Sequence, residues 1–280
     1  MHPEGEPAMR LTLGNITYSN CFPVHAGLID GAVQGGPTMV EGVPSFLNGK
    51  LERGEIDVSP SSSIEYARNA ARYRIIPDFV IGSRGPVRSI LFVGDRDPRE
   101  LGHATVAMPT ASATSVVLLK VLLRKRWGVA PRTVWFDQAR QDPFAMGADA
   151  ALFIGDVALR ADLHPERPVR FDLGQEWWDH TGLPFAFAVW QAASGDDGEL
   201  RRLHGLLLQS RAYGLEHRAA LAVKYAEHFG FPAPFLDAYW RDLSFVLDDA
   251  MLEGLQTFYR YAAEIGEIPE APRLRWTERS

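Results

Sequence analysis

The chain of 280 residues holds one cysteine, Cys21. That excludes a disulfide framework and any metal cluster built on several thiolates. No run approaches the ~18 apolar residues that a membrane-spanning helix needs. No block of lysine and arginine forms a nucleic-acid footprint, and the formal net charge is -6. The basic stretch KVLLRKR at 120–126 falls late in an expected helix, where cations complement the helix dipole. Neither G-x-x-x-x-G-K-[ST] nor G-x-G-x-x-G occurs, so a nucleotide cofactor has no support. H-E-x-x-H is missing too, and the eight histidines are scattered. The first ten residues, MHPEGEPAMR, lack the apolar core of a secretory signal, which points to a cytoplasmic protein. These absences leave a small molecule as the expected partner, and neither nucleic acid nor membrane.

Hydrophobic residues make up 46% of the chain and charged residues 23%, enough for a sizeable core. Strand and helix patterns alternate through the first half. Strands are expected at 10–16, 38–43, 56–59, 74–81 and 89–93, with helices at 23–29, 44–53 and 63–72. A second cycle follows, with strands at 104–108, 133–136, 150–154 and 185–190. Helices are expected there at 112–127 and 143–147. From Asp197 onward the pattern is helical, and Leu252, Leu255, Phe258, Tyr259 and Ala262 form a core-facing stripe. The alternation predicts α/β architecture with mainly parallel sheets. Two cycles and a helical tail predict two lobes, 1–93 plus 188–280 and 94–187, with a ligand cleft between them.

Hydroxyl-rich segments stand at two strand-to-helix junctions. In DVSPSSSIEY (57–66), Ser62 and Glu65 fit a capping box, while Ser61, Ser62 and Ser63 could equally offer donors to an anion. In PTASATS (109–115), Thr110, Ser112, Thr114 and Ser115 open an apolar helix. Two such starts, one per lobe, suggest facing helix N-termini that hold two carboxylates. In SRGPVRS (83–89), Arg84 or Arg88 could fork onto a carboxylate or stand as a solvated hinge arginine. In TYSNCFP (17–23), Asn20 could hold a ligand or cap the next helix, and Cys21 reads as a buried core thiol. Asp156 follows a buried strand, positioned to orient a ligand or to cap.

Six segments, taken in order and spacing, resemble the chorismate dehydratase family of the futalosine route to menaquinone. They are GNITYSNCFP (14–23), LERGEIDVSPSSSIEY (51–66), GPVRS (85–89), TASATS (110–115), ALFIGD (151–156) and GLPFAFAVW (182–190). The resemblance spans almost the whole chain. It implies a two-lobed, periplasmic-binding-protein-like fold of the second type, with no metal and no organic cofactor. The implied activity is that of a hydro-lyase converting chorismate, a dianion, to 3-[(1-carboxyvinyl)oxy]benzoate and water. By the family pattern Asn20 and Ser89 stand nearest the reacting centre. Ser61, Ser62, Ser63, Arg88, Thr110, Ser112, Thr114, Ser115 and Asp156 are then the expected substrate contacts. A related enzyme, which cleaves cyclic dehypoxanthine futalosine, typically carries a C-P-N-D-like stretch and a nearby histidine. Ser19 to Pro23 depart from that stretch, while His25 keeps the alternative open. A cytosolic carboxylate-binding protein is the third reading, since a fold does not fix a function.

Overall fold

The computed structural model describes residues 9–163 and 169–280. Among them, two sheets are flanked by helices. The first contains β1 (Thr12–Ile16), β2 (Thr38–Gly42), β3 (Val58–Ser62), β4 (Arg74–Ser83), β10 (Phe185–Ala192) and β11 (Leu243–Ser244). Its strand order is β11-β4-β10-β3-β1-β2. The second contains β5 (Ile90–Gly94), β6 (Thr105–Pro109), β7 (Arg132–Phe136), β8 (Ala150–Ile154) and β9 (Val169–Asp172). Its order is β7-β6-β8-β5-β9.

Both sheets are mixed, where the alternation predicts mainly parallel ones. β1 runs parallel to β2 and β3, and β6 parallel to β7 and β8. β10 lies antiparallel between β3 and β4, and β5 antiparallel between β8 and β9. β5 and β10 are the strands on which the chain enters one lobe from the other, so no crossover helix sets their direction. Sheet membership therefore divides the chain within 84–89 and 182–184, where the sequence suggests 93 and 188. All eight residues of β10, FAFAVWQA, are buried, as expected of a strand covered on both faces.

The helices are set by local chemistry. α2 (Pro44–Glu52) starts on a proline, whose missing N–H costs nothing there. α4 (Ala113–Lys125) is N-capped by Ser112 and carries Arg124 and Lys125 in its last turn. α6 (Leu173–Thr181) is capped by Asp172 and ends on the left-handed Gly182. α5 (Gly155–Leu163) follows β8 in the second lobe, while α1 (Phe22–Ile29), α7 (Asp197–Glu216), α8 (Arg218–Phe229), α9 (Ala233–Asp242) and α10 (Asp249–Glu264) cover the first, and α10 buries Leu255, Phe258, Tyr259 and Ala262. The helix expected at 143–147 is a run of turns.

The chain crosses between lobes through SRGPVRS. Gly85 has φ 101 and Arg88 φ 62, so the bend is sharp. Asp172 grips it: its carboxylate accepts from Val87 N at 3.0 Å and Arg88 N at 2.5 Å, and also from Gly174 N and Gln175 N. One side chain thus ties the outgoing crossing to the start of the helix that leads back.

Candidate active site

A narrow cleft separates the lobes. Its cavity volume is only about 40 Å³, well below the ~300–1,000 Å³ typical of small-molecule sites, so the lobes must part to admit a ligand. Tyr18, Asn20, Ser62 and Phe187 line it from the first lobe, and Ile90, Ser112, Ser115 and Gly155 from the second. Four residues singled out in the sequence, Asn20, Ser62, Ser112 and Ser115, therefore meet there.

Each reaches the cleft for a local reason. Ser112 Oγ accepts from Ser115 N at 3.4 Å and lies 3.1 Å from Ser115 Oγ. The pair sits at the start of a 13-residue helix, where dipole and open amides favour an anion. Asn20 lies in the loop between β1 and α1. It does not cap α1, whose N-cap is Cys21 with no side-chain bond. Its Oδ1 is buried and has no hydrogen-bond partner among the described residues. The loop itself is fixed by Trp240 Nε1, which donates to Ser19 O at 2.8 Å.

Ser62 behaves differently from its expected role. It occupies the N-cap position of α3 (Ser63–Arg68) but makes no cap bond, and Glu65 pairs with Arg68 at 2.8 Å. The capping box is not formed. The cap comes instead from the other lobe: Ile64 N donates to Thr114 Oγ1 at 3.1 Å. Ser63 Oγ donates to Ala186 O at 2.8 Å and lies 3.3 Å from Thr114 Oγ1. Ser63 and Thr114 are thus spent on the contact between lobes and do not line the cleft.

Four other expected site residues also lie elsewhere, and a fifth, Ser89, adjoins the lining. Ser61 points to the opposite face of β3 from Ser62, as strand alternation requires, and is fully buried. Thr110 lines a wider neighbouring pocket that also contains Arg68, Lys120 and Glu267. The Arg88 guanidinium lies over the Phe235 ring at 4.5 Å and 3.7 Å from Asp242, because its backbone is turned by a positive φ and held by Asp172. Asp156 accepts from Ser19 Oγ at 2.7 Å and Ser19 N at 3.2 Å, which makes it a bridge between lobes. Ser89 is 1% exposed, one residue before the cleft-lining Ile90. Arg84 pairs with Asp248.

Sequence reasoning missed Tyr18 and Gly155. Gly155 has φ 62, and a Cβ placed there would stand 2.7 Å from the Tyr18 ring. Glycine is what lets that ring lie flat on the second lobe. Burial raises the Tyr18 pKa, so its hydroxyl stays protonated.

No Asp, Glu, His, Lys or Arg lines the cleft among the described residues. The two tempting reactive groups nearby are inert. Burial pushes the Cys21 thiol up to about 12. Burial lowers His25 to about 3, so the ring is neutral. Trp190 Nε1 donates to His25 Nε2 at 3.1 Å, so Nδ1 carries the proton and donates to Asn15 Oδ1 at 2.9 Å. Both ring nitrogens are engaged inside the core.

Residues 11–264 match the family described as menaquinone biosynthesis. The chain belongs to that family. It is 32% identical over 278 residues to the chorismate dehydratase of Thermus thermophilus, covering 93% of this chain and 96% of that one. It is 30% identical over 183 residues to the chorismate dehydratase of Campylobacter jejuni, covering 64% of this chain and 66% of that one. Among solved structures it resembles a protein of Archaeoglobus fulgidus, with a TM-score of 0.78, 17% identity and coverage of 94% and 100%. It also resembles the periplasmic aliphatic sulphonate binding protein SsuA of Escherichia coli, with a TM-score of 0.66, 15% identity and coverage of 97% and 94%. The fold of this family member is accordingly the two-lobed, periplasmic-binding-protein-like α/β fold.

Proposed function

We propose that the chain is a chorismate dehydratase, which eliminates water from chorismate to give 3-[(1-carboxyvinyl)oxy]benzoate. The observation that carries this reading is a cleft lined by neutral hydrogen-bonding groups with no protein base among them. The names of the two relatives support it.

Chorismate brings its own base. The enolpyruvyl carboxylate takes the proton from the ring carbon that bears the enol ether. The C–H electron pair forms the third double bond of the ring as the neighbouring C–O bond breaks, and the departing hydroxyl takes up the proton and leaves as water. Aromaticity supplies much of the driving force, so the protein's work is orientation and charge stabilisation. The start of α4, with Ser112 and Ser115, would hold one carboxylate of the dianion. A cleft without cations leaves the other carboxylate basic, because a paired guanidinium would lower its pKa. Asn20 would fix the reactive conformation, and Ser89 would donate to the departing oxygen. The futalosine-cleaving alternative rested on His25, which offers no lone pair to the cleft.

The test is to incubate purified protein with chorismate and no added cofactor, and to follow products by liquid chromatography and mass spectrometry. A product lighter by one water with benzoate-type absorbance is expected. Asn20→Ala and Ser89→Ala should each lower turnover by about 10²-fold or more while the fold persists. Unchanged chorismate would sink the proposal.

A further inference from the structure

Tyr239 stands on α9, outside every segment that the sequence singled out. It is 0% exposed, and α9 packs on the Ser89 segment, where Arg88 lies over Phe235 and beside Asp242, so its hydroxyl faces Ser89. Neither the Tyr239 hydroxyl nor Ser89 Oγ completes a hydrogen bond among the described residues. Two buried, unpartnered hydroxyls side by side are costly, and proteins rarely keep one without a use. The next residue, Trp240, bonds Ser19 O and stacks on Phe22 at 5.2 Å. Two adjacent residues of one helix thus back the two segments that carry Asn20 and Ser89.

We infer that Tyr239 is a positioning residue for Ser89: its hydroxyl donates to Ser89 Oγ and leaves the serine's own hydrogen aimed at the departing oxygen of the substrate. The inference rests on the dehydratase reading above. No proton leaves Tyr239. A serine hydroxyl has one hydrogen and two lone pairs, so it can accept from the phenol and donate to substrate at once. Without the phenol, Ser89 can rotate and point its hydrogen elsewhere in the buried space. Burial raises the Tyr239 pKa, which keeps the phenol a donor throughout the neutral range. The geometry explains why the unpartnered pair is retained: the bond closes when substrate orders Ser89.

The experiment is a double-mutant cycle with Tyr239→Phe, Ser89→Ala and the double variant, assayed on chorismate, with Tm measured for all four proteins. Tyr239→Phe alone should lower kcat roughly tenfold, the worth of one neutral hydrogen bond, with KM unchanged. Its Tm should equal or exceed wild type, since it removes an unsatisfied buried hydroxyl. In the Ser89→Ala background the same change should have no effect on kcat. Wild-type kcat in Tyr239→Phe, or an equal loss in both backgrounds, would overturn the inference while leaving the dehydratase reading intact. A wild-type protein that leaves chorismate unchanged would overturn both.

Discussion

Thr114→Val changes one hydroxyl to a methyl of nearly the same volume, yet it should shift how readily the lobes close. In the structure Thr114 Oγ1 accepts from Ile64 N at 3.1 Å, and Thr114 is 1% exposed. The variant leaves that amide buried and unpaired, which costs about 1–3 kcal/mol. The cost falls on the closed arrangement alone. Once the lobes part, water satisfies Ile64 N–H. The closed-to-open ratio should therefore drop about 5- to 150-fold. A substrate that is bound only between closed lobes carries that penalty in its apparent affinity. The expected result is a KM for chorismate raised by up to that factor, with a larger radius of gyration in small-angle scattering of the free protein. Thr114→Ser keeps the acceptor and should behave as wild type. If Thr114→Val matches wild type in both KM and scattering, the cap from across the cleft contributes nothing to closure and the reasoning fails.

Three further outcomes follow from particular contacts. Gly155→Ala must fit a Cβ 2.7 Å from the Tyr18 ring at φ 62; it should cost about 1–2 kcal/mol and lower both Tm and turnover, and an unchanged Tm would mean that the ring yields freely. Burial raises the Asp156 pKa above its unfolded value, so its contribution to stability is full below about pH 4 and is lost as pH rises through the folded value. Asp156→Asn should flatten that decline in a plot of Tm against pH from ~4 to ~7, and parallel curves for variant and wild type would count against it. Cys21→Ala should keep turnover within about twofold, because a buried thiol held near 12 is no nucleophile; a dead variant would make the sulfur part of the chemistry.

Much of the architecture is legible in short-range pattern. The proline at the start of α2, Ser112 before α4 and the apolar stripe of α10 each act within one turn of helix, so sequence spacing reports them directly. Half of the cleft is legible in the same way, since Ser112 and Ser115 share one helix start. What escapes the pattern is contact across the cleft. Ser62 and Glu65 have capping-box spacing, yet Thr114 takes the job. Arg88 looks like a carboxylate clamp, yet Asp172 holds its backbone and Phe235 takes its guanidinium. The antiparallel direction of β10 depends on which lobe the chain returns from, and residue periodicity is the same for either direction. Tyr239 falls in a helical tail whose apolar residues all read as core.

The second lobe leaves the first after Ser83 and returns at Phe185, and these two residues are paired across β4 and β10. Topologically the pair is a hairpin whose turn has been replaced by a whole lobe. Closing a flexible loop of ~100 residues costs about 4 kcal/mol in chain entropy, against about 1 kcal/mol for a four-residue turn. A second lobe that is already folded removes most of that difference, because Asp172 holds its exit beside Val87 at its entrance. The pairing of β4 with β10 is therefore least costly once the inserted lobe has formed and presents two neighbouring ends.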